Sequence, residues 1–92
     1  MRDIKYKKLG YTIIKSTDKK VKGKKFVVFK EGDFKKYHTH VSTLDIGKTM
    51  IHIVANSILP KSNNKDFIES LIRLSDDKSY VKQLEKRLEN NQ

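Results

Sequence analysis

Residues 26–41 read FVVFKEGDFKKYHTHV, and this stretch decides the fold. Residues 26–30 are mostly β-branched or aromatic, which is typical of a strand. Residues 34–41 are predicted as a strand too, in which Tyr37, Thr39 and Val41 alternate with Lys36, His38 and His40. The turn Glu31-Gly32-Asp33 separates the two segments. Because so short a turn joins neighbouring strands, the stretch predicts an antiparallel hairpin.

The first strand of this hairpin has apolar side chains on both faces. Phe26 and Val28 point to one side of the sheet, and Val27 and Phe29 point to the other. Helices in a domain this small cover only one of those sides. We therefore expect the second side to be shielded by the N-terminal segment, a twin subunit or a bound ligand.

The segment before the hairpin predicts one more strand. Residues 11–16 (YTIIKS) have strand composition, and residues 17–25 (TDKKVKGKK) form a polar, lysine-dense loop. Residues 1–10 fit either a short helix ended by Gly10 or a ragged strand. The expected sheet is three-stranded and antiparallel, lies within residues 11–41, and has a possible short N-terminal helix before it.

The periodicity becomes helical after residue 41. Ser42, followed three residues later by Asp45, predicts a capped helix start, and Pro60 predicts the end of that helix. The apolar positions at helical spacing are Ile46, Met50, Ile51, Val54, Ala55 and Ile58.

Two further helices follow. The face of the first is formed by Phe67, Ile68, Leu71 and Ile72, and that of the second by Tyr80, Val81, Leu84 and Leu88. Ser75-Asp76-Asp77 predicts the capped start of the last helix. Strands first and helices last indicate a single α+β domain over residues 1–92, with a helical part at 42–90 and three helices packed on one face of the sheet.

The positive charge is confined to one half of the chain. The net charge is +10 over 92 residues, and residues 1–37 hold thirteen Lys and Arg against four acids, whereas residues 38–92 hold eight against seven. A charge confined in this way predicts a surface that meets a polyanion, and the abundant polyanion of a cell is nucleic acid.

Composition excludes several other classes. The chain has no cysteine, so it forms no disulfide and no thiolate metal site, which agrees with a cytoplasmic location. Its longest mostly apolar run, residues 50–59, is too short to span a bilayer, so we expect no membrane partner. No phosphate-binding glycine motif or nucleophile–base pair is present, and no cofactor is expected.

Lysines of the loop and hairpin are the main candidates for phosphate contact. Lysine acts as a point charge, so these side chains predict binding to the backbone rather than reading of bases. A stripe of Lys48, His52 and Asn56 on the first helix is a second candidate. The predicted nucleic-acid-binding residues are Lys19, Lys20, Lys22, Lys24, Lys25, Lys35, Lys36, Lys48 and His52. The alternative for both sets is an ordinary solvated loop and an exposed helix face.

The histidines and aromatic residues of the sheet are weaker candidates for a functional role than the lysines. His38 and His40 project to the same side of their strand and are candidate catalytic residues for RNA cleavage. They are too few for a metal site, even with His52, so no metal is predicted. Aromatic residues beside lysines can stack on bases, but most are expected in the core, with Phe34 or Tyr37 the best candidates for exposure.

Three segments carry a resemblance to a known family. RDIKYKKLGY (2–11), GKKFVVFKEGD (23–33) and YHTHVSTLDIGKTMIHIVANSIL (37–59) resemble the HicA-type toxins and their relatives. That likeness implies a fold similar to the double-stranded-RNA-binding domain. Some relatives continue with two more helices, which DFIESLIRLSDDKSYVKQL (66–84) resembles.

The chain differs from the family at the position of the proposed catalytic histidine. The toxins carry Gly-Ser/Asp-His at the start of their second strand, whereas this chain has Gly23-Lys24-Lys25-Phe26 there. Lysine, with an ordinary pKa of about 10.4, is protonated at neutral pH and is a poor general base. The likeness therefore implies the fold and an RNA-directed ancestry, but no ribonuclease activity.

Together these features predict a non-catalytic nucleic-acid-binding protein of a phage or other mobile element, with RNA favoured over DNA. One alternative is an enzyme, a metal-independent RNA endonuclease toxin with an antitoxin partner. Another is a phage-encoded inhibitor that binds a host defence complex. The chain is expected to be a monomer or a homodimer.

Overall fold

A four-stranded antiparallel sheet and three helices make up the protein, in a computed structural model that describes residues 3–17 and 21–90. The elements are β1 (Ile4–Lys8), β2 (Tyr11–Lys15), β3 (Phe26–Lys30), β4 (His38–Val41), α1 (Leu44–Ala55), α2 (Lys65–Leu74) and α3 (Lys78–Asn90). The strands lie side by side in chain order, β1-β2-β3-β4, so β1 and β4 form the two edges. The predicted α+β class is confirmed.

The strand count corrects the sequence-based expectation. Residues 4–8 are not a helix but a fourth strand, which pairs antiparallel with β2. The two-residue turn Leu9-Gly10 reverses the chain, with positive φ angles of 55° and 84°, and brings Lys8 opposite Tyr11. Positive φ at both central positions matches the turn that hairpins of this length favour. The predicted three-stranded sheet with a possible N-terminal helix is therefore wrong.

The last strand is shorter than predicted. Residues 34–41 were expected to be extended, but β4 contains only His38–Val41. The preceding residues turn instead, and the Tyr37 amide donates to the Asp33 carbonyl at 3.1 Å. Phe34 and Lys35 are thereby held in a connector between β3 and β4 rather than in the sheet.

The first helix begins and ends at other residues than the sequence suggests. Thr43, not Ser42, caps α1, and its Oγ1 accepts a hydrogen bond from the Ile46 amide at 3.2 Å. The helix stops at Ala55, five residues before Pro60. The proline therefore follows a short irregular segment and does not itself end the helix.

The other two helices start at side-chain caps. Asn64 Oδ1 accepts from the Phe67 amide at 3.0 Å, and Asp77 Oδ1 accepts from the Tyr80 amide at 3.2 Å. The Tyr80 hydroxyl donates to the Ile58 carbonyl at 2.6 Å, and burial raises the pKa of Tyr80 to about 12. Within residues 3–17 and 21–90, no helix is long and apolar enough to cross a membrane.

One face of the sheet packs against α1 and α2 and forms the core. Ile13 and Val28 are completely buried there. Gly47 of α1 lies directly over them, and a Cβ at this position would stand 2.8 Å from Ile13 Cδ1 and 3.2 Å from Val28 Cγ2. The absence of a side chain therefore lets the helix approach the sheet closely. The third helix packs against α2 and, within the described residues, makes no contact with a strand, so the prediction that all three helices pack on the sheet is wrong for α3.

None of the three helices in the described part of the chain packs on the opposite side of the sheet, and we call this side the helix-free face. Cross-strand partners point to the same side of a sheet, so the observed register determines its members. They are Ile4 and Lys7 from β1, Thr12 and Ile14 from β2, Val27 and Phe29 from β3, and His38 and His40 from β4. As expected, β3 has apolar side chains on both sides of the sheet.

Candidate nucleic-acid interface

The β2–β3 loop, residues 16–25, carries the main group of predicted binding residues. Its second half forms a tight turn, in which the Lys24 amide donates to the Val21 carbonyl at 3.4 Å and Gly23 has a φ of +75°. A positive φ at the third position of a turn favours glycine. The exposed lysines of this region are Lys22, Lys24 and Lys25, together with Lys15 at the end of β2. Lys19 and Lys20 lie outside the described residues.

Three lysines of the loop have no ion-pair partner among the described residues. Residues 15–25 contain six lysines and one aspartate. Among the residues that the structure describes, no carboxylate forms an ion pair with Lys22, Lys24 or Lys25. Charges in this state attract polyanions more strongly than charges that already have a partner.

The hairpin lysines lie elsewhere. Lys35 and Lys36 belong to the connector between β3 and β4, and the antiparallel strand order places this connector at the far end of β3 from the loop. The five residues of β3 lie between the two groups and separate them by roughly 17 Å. Lys36 Nζ lies 5.3 Å from the centroid of the Tyr37 ring, in cation–π range.

Ion pairs neutralise part of the connector end. Lys30 pairs with Asp76, and Lys7 Nζ lies 3.2 Å from Glu31 Oε1. Glu31 also accepts a hydrogen bond from Thr12 Oγ1 at 2.8 Å. The Thr12 hydrogen bond, followed by the interaction with Lys7, lowers the pKa of Glu31. The loop end of the sheet is therefore the more strongly cationic of the two.

The third predicted group lies on the helical side of the molecule. Lys48 Nζ stands 5.0 Å from the centroid of the Tyr6 ring. His52 is exposed one turn further along α1, where the Asn56 side-chain amide donates to its carbonyl at 2.8 Å. The described residues of the predicted site thus fall into three groups, on the loop, the connector and α1, and do not converge on one surface.

A series of rings lies on the helix-free face, and we call it the ring ladder. Its members are Phe29, Phe34, His38 and His40. Phe34 meets Phe29 edge to face with centroids 4.8 Å apart, and it stacks parallel to His38 at 5.6 Å with an interplanar angle of 1°. His38 in turn meets His40 edge to face at 5.8 Å. All four side chains are partly exposed.

The two candidate catalytic histidines are therefore neighbours, but the third histidine is not. His38 and His40 lie on the helix-free face, whereas His52 lies on α1 across the sheet. His38 Nδ1 is buried without a hydrogen-bond partner, so this nitrogen is out of reach of a bound substrate. Within the described part of the chain, no group of three His, Cys, Asp or Glu residues could hold a metal ion.

A cleft of about 470 Å³ runs beside the free edge of β4 and connects the loop to the start of α2. Lys24 and His40 lie on its sheet side, and Asn64 and Asp66 lie on its α2 side. Further along the same edge, Val21 and Lys24 lie close to His38. Lys24 of the loop is therefore adjacent to the histidine end of the ring ladder.

Sequence reasoning missed Arg73 in this region. Arg73 of α2 donates through Nη2 to Thr39 Oγ1 at 3.4 Å and to Ser70 Oγ at 3.1 Å, next to the β4 edge. It is 34 residues from Thr39, so no local sequence pattern indicates the contact. The alternation of β3 did predict that Phe29 faces the second side of the sheet, where the structure places it partly exposed.

The chain matches no protein-family model, and it has no significant match among curated proteins or solved structures. The resemblance to HicA-type toxins therefore stays a prediction.

Proposed function

We propose that this protein binds nucleic acid without cleaving it, through the β2–β3 loop and the helix-free face beside it. The observation that carries the proposal is that Lys22, Lys24 and Lys25 are exposed at one end of the sheet and form no ion pair with any other described residue. A net charge of +10 adds attraction over longer distances.

Contact with a phosphate backbone explains why lysine predominates in this loop. Each ammonium group that meets a phosphate releases condensed counterions, and that release supplies affinity without regard to base sequence. The loop has no arginine, the residue that most often reads guanine through two parallel hydrogen bonds. We therefore expect affinity that falls steeply with salt and varies little with sequence.

Binding without cleavage fits the residues available. Lys25 occupies the position at which the toxins that this chain resembles place their histidine, and a protonated lysine does not abstract a proton from a ribose hydroxyl. His38 has a buried Nδ1, which limits its use as a proton carrier. The resemblance favours RNA over DNA as the ligand.

A pair of charge-matched variants tests this proposal. In the first, Lys22, Lys24 and Lys25 are changed to glutamine. In the control, the exposed α3 lysines Lys78, Lys82 and Lys86 are changed to glutamine, which removes the same formal charge. Fluorescence anisotropy with labelled oligonucleotides, repeated over a range of salt concentrations, measures binding, and gel analysis of the recovered RNA measures cleavage.

We expect the loop variant to bind about 10- to 100-fold more weakly at about 100 mM salt, with a salt slope reduced by about 2, and the α3 variant to bind nearly as well as the wild type. The RNA should be recovered intact. Equal losses in the two variants would show that net charge acts without a defined site. Absence of binding by the wild type at low salt would refute the proposal.

A further inference from the structure

The helix-free face has the components of a platform for unstacked bases. Phe29 and Phe34 present partly exposed aromatic rings, and His38 extends the series parallel to Phe34. Base stacking on such rings tolerates any sequence because every base has a π face. No other described surface of the molecule brings three partly exposed rings into mutual contact.

Lysines stand at both ends of β3. The loop lysines precede this strand, and Lys35 and Lys36 follow it, so the strand that carries Phe29 has a cationic group at each end. The five residues of β3 span roughly 17 Å, which prevents a single patch but suits a chain of phosphates laid along β3 and β4. The ligand would meet charge at both ends of the strands and rings between them.

A duplex cannot use both features at once. Its phosphates face outward, but its bases are stacked inside the helix and their faces are hidden. Only a single strand can turn its bases toward protein rings while its backbone follows a cationic groove. A duplex would therefore contact the lysines alone.

We infer that the helix-free face binds single-stranded nucleic acid, with bases stacked on the ring ladder and phosphates held by the lysine groups at both ends of β3. This inference rests on the proposed nucleic-acid binding and adds to it the strandedness of the ligand. It also gives a function to the side of the sheet that the helices leave uncovered.

The first test compares single-stranded and duplex oligonucleotides of equal length, in RNA and in DNA, at one salt concentration. The test variant is F29L/F34L, which keeps apolar bulk but removes two rings of the ladder. The control is F26L, a change in the same strand on the opposite side of the sheet. Thermal denaturation of each variant verifies that it is folded, and F34L alone serves if the double variant is not.

We expect the wild type to favour single strands by about tenfold or more, and F29L/F34L to lose about that preference while duplex binding and F26L stay near the wild type. Preference for duplex, or retention of the single-strand preference in a folded F29L/F34L or F34L, would overturn the inference and leave the proposed function intact. Absence of binding to every oligonucleotide would refute the proposed function as well.

A second readout needs no variant. The chain has no tryptophan, so the fluorescence of a 2-aminopurine base placed in the oligonucleotide can be followed without tryptophan background. Stacking of this base against a protein ring changes its fluorescence. A clear change on binding a single strand is expected, and an unchanged signal at saturation would contradict base stacking.

Discussion

The two faces of the sheet bury similar side chains in different surroundings. On the helical face, Ile13 and Val28 are 0% exposed and lie beneath Gly47 of α1. On the helix-free face, Ile14 and Val27 are 8% and 4% exposed, yet they lie outside the main hydrophobic core. Low exposure alone therefore does not separate a structural core from a surface available for function.

The difference lies in the groups that cover each face. Backbone and side chains of α1 and α2 close the helical face, and an atom removed there leaves a void within a packed layer. The helix-free face is lined by its own side chains, among them rings that meet edge to face or in parallel stacks. Side chains next to solvent can adjust after a change, whereas those beneath a helix cannot.

The largest expected difference in stability is the one between alanine variants of the adjacent residues Ile13 and Ile14. I13A removes buried methyl groups from the packed core and should lower the free energy of unfolding by about 2–5 kcal/mol. I14A, one residue along β2 on the opposite face, should cost about 1 kcal/mol, because the site can collapse or admit water. Urea unfolding monitored by circular dichroism measures both. An I14A cost equal to that of I13A would mean that the helix-free face is a second core.

The next largest effect on the free energy of unfolding is expected at Gly47, where α1 approaches the sheet closely. G47V places branched carbons where even a Cβ would stand 2.8 Å from Ile13 Cδ1, so we expect a loss of about 1–3 kcal/mol. The loss would occur although valine has a better intrinsic helix propensity than glycine. T49V, at an exposed position of the same helix, is the matched control and should cost less than about 0.5 kcal/mol. Comparable stabilities for the two variants would refute the tight contact.

The smallest expected effect is on the pH dependence of stability, and it comes from Glu31 beside Thr12 of the helix-free face. The folded-state pKa of Glu31 lies below its ordinary value, chiefly because of the Thr12 hydrogen bond. Its contribution to stability is therefore present above the ordinary glutamate pKa and is lost as the pH falls through the folded-state pKa. E31Q should show a smaller decrease in urea midpoint between neutral and acidic pH than the wild type does.

Two other carboxyl groups set the background for this measurement. The pKa of Asp3 is lowered by its hydrogen bond to Lys5, and that of Asp77 is lowered by its hydrogen bond to Ser57. Part of the pH dependence will therefore survive in E31Q. D77N is the matched control, and it should retain the part that Glu31 contributes. If the urea midpoint of E31Q changed with pH as that of the wild type does, Glu31 would make no pH-dependent contribution to stability.

Much of the fold could be predicted because its signals are local. β3 occupies the predicted residues 26–30, where branched and aromatic residues follow one another. β1 could not be assigned, because an edge strand with exposed lysines shows no clear alternation. The predicted strand at 34–41 was too long, because Phe34 continues the apolar pattern although its ring folds back over Phe29.

The candidate site was predictable only in part. The loop lysines are evident from composition, but their separation from Lys35 and Lys36 is a property of strand order, since successive turns of an antiparallel sheet lie at opposite ends. The contact between Arg73 and Thr39 depends on the packing of α2 against β4, which no spacing in the sequence encodes. The ring ladder could not be predicted without the register of β3 and β4, which puts Phe29 opposite His38.

The most direct test of the central claim is a map of backbone amide shifts by ¹⁵N NMR during titration with a short single-stranded oligonucleotide. We expect the perturbed amides to cluster in residues 21–25, in β3 and β4, and in the connector between them, while those of α3 stay unchanged. Perturbations confined to α1 and α3, with the loop and the helix-free face unaffected, would contradict it.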